Sequence, residues 1–266
     1  MSFFIIKVQE NIIKEVTAME KRKFDLSSVG LHIFAMAFML LDHMWGTVLS
    51  DYIWLTRIGR LAFPIFAFMI VEGYTHTKNL KKYVLRLLIF AVITEIPFNL
   101  MVGNRVFFYP HQNVLWTFLI GIGLMHLNEL ARKTEKIWLS VLTMVSTCFL
   151  AYILGYITFV DYNAAGILTV LLFYFCRGRN WWCYLGQLAG LYYINVEMLQ
   201  GLYFEVELFG HSFEIVQQGF AVLSLAFIWL YRGRQGKKSK AFQYFCYAFY
   251  PAHMMILWLI ATLMNR

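Results

Sequence analysis

The sequence predicts an all-α fold: a polytopic membrane bundle of about nine transmembrane helices, with the amino terminus inside and the carboxyl terminus outside. Three observations predict it. Hydrophobic residues make up 60% of the chain and charged residues 14%, against roughly 45–50% and about 25% in soluble domains. Apolar runs close to the ~20 residues a helix needs to cross a bilayer recur along the chain. Lys and Arg lie in short clusters between alternate runs, as they do in cytoplasmic loops. The net charge of +8 is loop charge of this kind, so no nucleic-acid partner is expected.

The first 27 residues mix acids and bases and lack the apolar core and small-residue cleavage site of a signal peptide. Ile5, Val8, Ile12, Val16 and Met19 recur at helical spacing, which predicts an amphipathic segment over 1–27 lying on the inner leaflet. Residues 28–266 are then a single transmembrane domain. Its nine spans are 28–49, 60–77, 82–102, 112–131, 137–155, 158–176, 181–199, 213–231 and 241–262. Lys78, Lys81 and Lys82 follow the second span, and Arg132, Lys133 and Lys136 the fourth. Arg177 and Arg179 follow the sixth. Arg232, Arg234, Lys237, Lys238 and Lys240 follow the eighth. The other loops are poor in Lys and Arg, and the one after the seventh span is acidic, with Glu197, Glu205, Glu207 and Glu214. That alternation sets the orientation and implies a multi-pass protein of the cytoplasmic membrane.

An ionisable residue inside the bilayer must be paired or wetted, so each is a functional hypothesis. At about 1.5 Å per residue, His43 lies ~22 Å from the inner end of its span, and Glu95 and His253 each ~20 Å from theirs. All three fall in the outer part of a ~30 Å core. Arg57, Arg60, Gln112, Asn113, Asp161 and Asn163 sit at or just above that layer. Asp42 and His43 are neighbours and point about 100° apart. Asp42 is therefore expected to pair with Arg57 or Arg60, leaving His43 to face a cavity with Glu95 or Asp161 as partner. The competing reading of His43 is a hydrogen-bonded packing histidine, and that of Arg57 and Arg60 is interfacial snorkelling. Pro64, Pro97 and Pro251 each break a helical ladder.

A second group lies at the inner side: Glu72, His76, Lys78, Lys81, Lys82 and Arg86. Arg86 stands about one turn inside the third span, placed to meet a phosphate-bearing ligand or a lipid headgroup. Cys148, Cys176, Cys183 and Cys246 are scattered through apolar runs without CxxC spacing and read as small buried hydrophobes. A metal site from His43, His111, Asp161 or His253 would need non-local ligands, and no HExxH is present, so no metal is expected.

At these residues the chain resembles a known family. "MLLDHMWG", "RIGRLAFPIFAFMIVEGYTHTKNLKKYVLRL", "EIPFN", "QQGFAVLSL" and "FYPAHMMIL" look like the TraX family, named for the enzyme that acetylates the amino terminus of F-type pilin. The likeness runs in order from about residue 24 to 262. The family in turn looks related to membrane acyltransferases that take acyl-CoA from the cytoplasm. In those a histidine in the outer part of the first helix matches His43, and a basic position early in the third matches Arg86. Two departures stand out: His32 occupies a position where the family usually has lysine, and the broader group's RxxR is reduced to Tyr83 and Arg86. The resemblance implies an acetyl-CoA-dependent membrane acetyltransferase acting on a hydroxyl or amino group outside, on a peptide or pilin amino terminus or a glycan. On this reading the catalytic layer is His43, Asp42, Glu95, Asp161 and His253, with His43 as general base. Acetyl-CoA, the co-substrate, meets Arg86, Lys78, Lys82 and Tyr83, and the acceptor meets Arg57, Arg60, Gln112 and Asn113. Membrane lipids are the other partner. The alternative from the same residues is a proton-coupled small-molecule transporter.

Overall fold

Ser27 starts the first long helix. Its backbone is extended and its hydroxyl accepts from the Gly30 N–H at 3.1 Å, which satisfies one of the amides a helix start leaves unpaired. In the computed structural model, which describes residues 25–208, 211–236 and 239–264, this is α1 (Ser28–Trp45). Residues 1–24 of the predicted amphipathic segment lie outside the described residues.

The second span begins earlier than the sequence predicts. A short α2 (Trp54–Gly59) and α3 (Ala62–His76) together form an apolar stretch of 23 residues from Trp54. α4 (Leu80–Gly103) is capped by Asn79, whose side chain accepts from the Lys82 N–H at 2.9 Å, and ends at Asn104 in a left-handed conformation. α5 (Val114–Arg132) follows an Asn113 cap, and α6 (Ile137–Ile157) returns antiparallel. Next come α7 (Asn163–Phe175), α8 (Trp181–Tyr192), α9 (Ser224–Leu230) and α10 (Lys240–Met264).

Among the described residues, six segments are long and apolar enough to cross a membrane: α1, α2 with α3, α4, α5, α6 and α10. The other three predicted spans are short or interrupted. α7 has 13 residues, or ~20 Å, because residues 158–162 form a turn. α8 changes to a π-helical turn over Tyr193–Leu199. The eighth predicted span opens as strand, then runs as a 3-10 helix (Gln217–Leu223) into α9. Among the described residues the departure from an all-α chain is a hairpin of β1 (Tyr203–Leu208) and β2 (His211–Val216), antiparallel, with Glu205 directly opposite Glu214.

α7 is the hub of the bundle: Ile167, Val170, Leu171 and Phe173 are buried to 1% exposure or less. α4 and α6 instead turn apolar faces outward, with Val92 58%, Ile93 52%, Val145 59% and Phe149 65% exposed. Such faces fit lipid rather than water. The basic loops after α3, α7 and α9 gather at the end where α1 begins. There the Ser28 N–H donates to the Arg234 carbonyl at 2.8 Å, and Tyr231 lies among Glu72, Arg179 and Asp25. The Tyr231 hydroxyl donates to the Glu72 carboxylate. This is called the basic end below.

Candidate functional site

His43 and His253 meet. Nδ1 of His43 lies 2.7 Å from Nε2 of His253, and the two rings are nearly parallel, 10° apart, with centroids separated by 5.0 Å. His253 is 5% exposed and stacks in turn on Phe249 at 4.8 Å. The pair joins α1 to α10 across 210 residues of sequence, at the level where counting residues along the two helices puts both.

The hydrogen bonds assign the protons. Nδ1 of His253 lies 2.7 Å from the Phe249 carbonyl. A carbonyl only accepts, so His253 Nδ1 carries its hydrogen. In the neutral ring Nε2 is then an acceptor, and the bond to His43 requires His43 Nδ1–H to donate. His43 Nε2 is left with a free lone pair. The chain Phe249 carbonyl, His253, His43 thus fixes one tautomer and aims the basic nitrogen away from the pair. If His43 Nε2 takes a proton, the imidazolium Nδ1–H faces a neutral imidazole able to share the charge.

Asp42 has a separate task. Its Oδ1 accepts from Thr56 Oγ1 at 2.7 Å and from Arg60 Nη2 at 2.9 Å. Arg60 also donates to Thr56, and Gln217 Nε2 donates to the same hydroxyl at 2.9 Å. One carboxylate therefore ties α1 to α2 and, through Thr56, to the 3-10 helix. Gly59 permits it: a Cβ there would collide with Cβ and Cα of Asp42. Of the two arginines expected to meet Asp42, Arg60 does. Arg57 instead lies under the Phe204 ring of the hairpin, 4.1 Å from its centroid, a cation–π contact.

Glu95 and Asp161 are each engaged elsewhere, so the structure does not bring either carboxylate to His43. Glu95 Oε2 accepts from Asn113 Nδ2 and from Trp116 Nε1 at 3.0 Å. Asn113 also donates to the Ala91 carbonyl, so it braces α4 against α5. Asp161 Oδ1 pairs with His111 Nε2 at 3.0 Å. That hydrogen bond raises the His111 pKa above its ordinary value. Gln112 belongs to the same clamp through its backbone: its N–H donates to Phe159, and its carbonyl accepts from Asp161. Among the described residues no group of three or more His, Cys, Asp and Glu side chains converges as a metal site would require.

A cavity of about 530 Å³ opens at the basic end and runs inward between α1, α3, α4, α5 and α10. Its mouth holds Ser28, His76, Arg86 and Gln235; its walls are apolar, among them Met36, Met39, Phe66 and Phe118. Along α1 the lining reaches from Ser28 to Met39, ~16 Å, and His43 follows one turn later. On α10 the lining includes Phe249 and Tyr250, the residues packed on His253. Arg86 and Tyr83 line the cavity; Lys78 and Lys82 are exposed at the same end without lining it. The Tyr83 hydroxyl lies over Gly73, where a Cβ would stand 2.6 Å from it. The residues that sequence reasoning missed are Thr56, Gln217, Thr94 and Tyr250. Thr56, Gln217 and Thr94 stand beside Arg57, Gln218 and Glu95, and none of the four carries a motif of its own; which neighbour each meets is set by its direction around the helix.

The family model described as TraX protein matches residues 27–261. The chain is 28% identical over 248 residues to the probable fimbrial assembly protein FimC, serogroup H1, of Dichelobacter nodosus, covering 89% of this chain and 96% of that one. No solved structure matches.

Proposed function

The chain belongs to the TraX family, and from that premise we propose that it is an integral acetyltransferase of the cytoplasmic membrane. It moves an acetyl group from cytoplasmic acetyl-CoA to a hydroxyl or amino group of an acceptor on the other side, a pilin or other peptide amino terminus or a glycan. The observation that carries this reading is a polar, Arg86-bearing mouth leading into an apolar cavity of about 530 Å³ whose lining ends at Met39 and Tyr250, next to the His43–His253 pair. In this reading all nine segments cross, with the basic end inside, as the distribution of Lys and Arg favours.

Arg86, with Lys78 and Lys82 at the rim, holds the CoA phosphates by charge-assisted hydrogen bonds. The pantetheine arm lies along Met36 and Met39, and the thioester reaches the level of His43. The acceptor enters past Arg57 and Arg60. His43 Nε2 takes its proton as general base, a contribution of typically ~10²–10⁴-fold, while His253 holds the tautomer. Bringing the two substrates together lowers the barrier further.

Binding separates this reading from a proton-coupled transporter built on the same residues. Purified protein in detergent should gain thermal stability with CoA and with acetyl-CoA, about 2.7 kcal/mol at a hundredfold excess over Kd. Indifference to both ligands would reject the acetyltransferase and leave the transporter.

A further inference from the structure

A threonine in or at the end of a helix can return its hydroxyl to the carbonyl four residues earlier. Thr47, Thr147, Thr158, Thr169 and Thr262 of this chain all do so, at 2.6 to 2.8 Å. Thr94 does not. It is 0% exposed, its hydroxyl has no hydrogen-bond partner among the described residues, and it lines the cavity. A buried hydroxyl left unpaired costs free energy, so its persistence needs a reason. Depth supplies one. Thr94 lies 14 residues from the start of α4, ~21 Å along it, level with His43 at ~22 Å along α1 and His253 at ~20 Å along α10. Thr94 therefore lines the deep end of the cavity, where the acyl group of a CoA thioester would arrive.

We propose that Thr94 is a catalytic residue whose hydroxyl donates a hydrogen bond to the thioester carbonyl oxygen of bound acetyl-CoA and steadies the oxyanion formed there. The inference rests on the acetyltransferase reading above. In the step it serves, the lone pair of the acceptor oxygen or nitrogen forms a bond to the carbonyl carbon, and the carbonyl π pair moves onto the oxygen facing Thr94. The acceptor proton goes to His43 Nε2. The tetrahedral adduct then re-forms the carbonyl, the C–S bond breaks, and the CoA thiolate leaves and takes that proton. Donors already aimed at the developing charge are among the strongest sources of rate enhancement in acyl transfer.

The test compares Thr94→Val and Thr94→Ser in purified protein, with three readouts: thermal stability without ligand, the ratio of affinities for acetyl-CoA and CoA by titration, and transfer of labelled acetyl to membrane components. T94V should be at least as stable as the wild type, since it deletes an unpaired hydroxyl. Its preference for acetyl-CoA over CoA should fall by roughly three- to tenfold, and its transfer rate by ~10²–10³-fold. T94S should keep both. A T94V protein that transfers like the wild type overturns the proposal while leaving the acetyltransferase intact. So does one that weakens CoA and acetyl-CoA equally, because the hydroxyl would then serve the pantetheine. A destabilised T94V would show that the hydroxyl has a structural partner, with the same result. A wild-type protein that neither binds CoA nor transfers acetyl overturns both this assignment and the reading beneath it.

Discussion

Replacing Arg60 with Met should cost about 3 kcal/mol of stability, a figure bracketed by the limits for exposed and buried ion pairs. The guanidinium donates to Asp42 Oδ1 at 2.9 Å and to Thr56 Oγ1 at 2.8 Å. The two charged side chains are only 17% and 16% exposed. Exposed pairs are worth about 0–1 kcal/mol, whereas removing one partner of a buried pair costs about 3–5 kcal/mol, because a charge is left behind without its counter-charge. The pair's burial puts the loss near the lower edge of the second range. Adding Asp42→Asn should then recover part of the loss, since the neutral amide leaves no charge stranded beside Thr56. The double-mutant cycle should give a coupling of about 1.5–3 kcal/mol, toward the upper end for residues in contact. Reversible denaturant unfolding in detergent micelles measures all three variants. If R60M loses less than about 1 kcal/mol, or the double variant loses the sum of the single losses, Asp42 does not clamp α1 to α2 through Arg60.

Gly59→Ala should destabilise by about 1–3 kcal/mol despite alanine's better helix propensity, because the methyl would collide with Asp42; a raised melting temperature would contradict that close approach. His253→Phe keeps a ring stacked on Phe249 but leaves His43 Nδ1–H without its acceptor. Initial rates should show acetyl transfer down by ~10²-fold or more, the scale of lost general-base help, with the KM for acetyl-CoA unchanged; an unchanged rate would remove His253 from the mechanism. The His111–Asp161 clamp should weaken as pH rises. Its hydrogen bond raises the folded pKa of His111 above the ordinary 6.5, so the stabilisation is fully present below 6.5 and is lost as pH climbs through the higher folded value. Amide exchange at Gln112 and Asp161, corrected for intrinsic rates, should therefore speed up as pH rises above 6.5, and Asp161→Asn should flatten the profile; a flat wild-type profile would refute the clamp.

Counting residues from the basic end was enough to put His43 and His253 at one level, and they touch. The same arithmetic could not pair Glu95 or Asp161 correctly, because rise gives height and says nothing of azimuth. Glu95 turns toward Asn113 and Trp116 of the neighbouring helix. Thr94, one residue earlier and about 100° around, turns to the cavity. The choice between Arg57 and Arg60 needed two facts that composition hides: the bare Cα of Gly59, which lets Arg60 close on Asp42, and the Phe204 ring that occupies Arg57. That ring belongs to a hairpin read as loop and helix start. The signal was present in "YFEVEL" and "HSFEIV", six residues each of near-alternating character. The π-helical turn after α8 has no such signature; it follows from packing that a single sequence does not display.

Whether His43 is the base of an acetyl transfer can be read directly in membranes. Membranes carrying the wild-type protein or His43→Ala are incubated with acetyl-labelled acetyl-CoA, and labelled molecules are separated from the membranes and the medium. A labelled acceptor is expected with the wild type and none with H43A, while H43A stays folded and is still stabilised by CoA. Equal labelling in the two would contradict the role of His43.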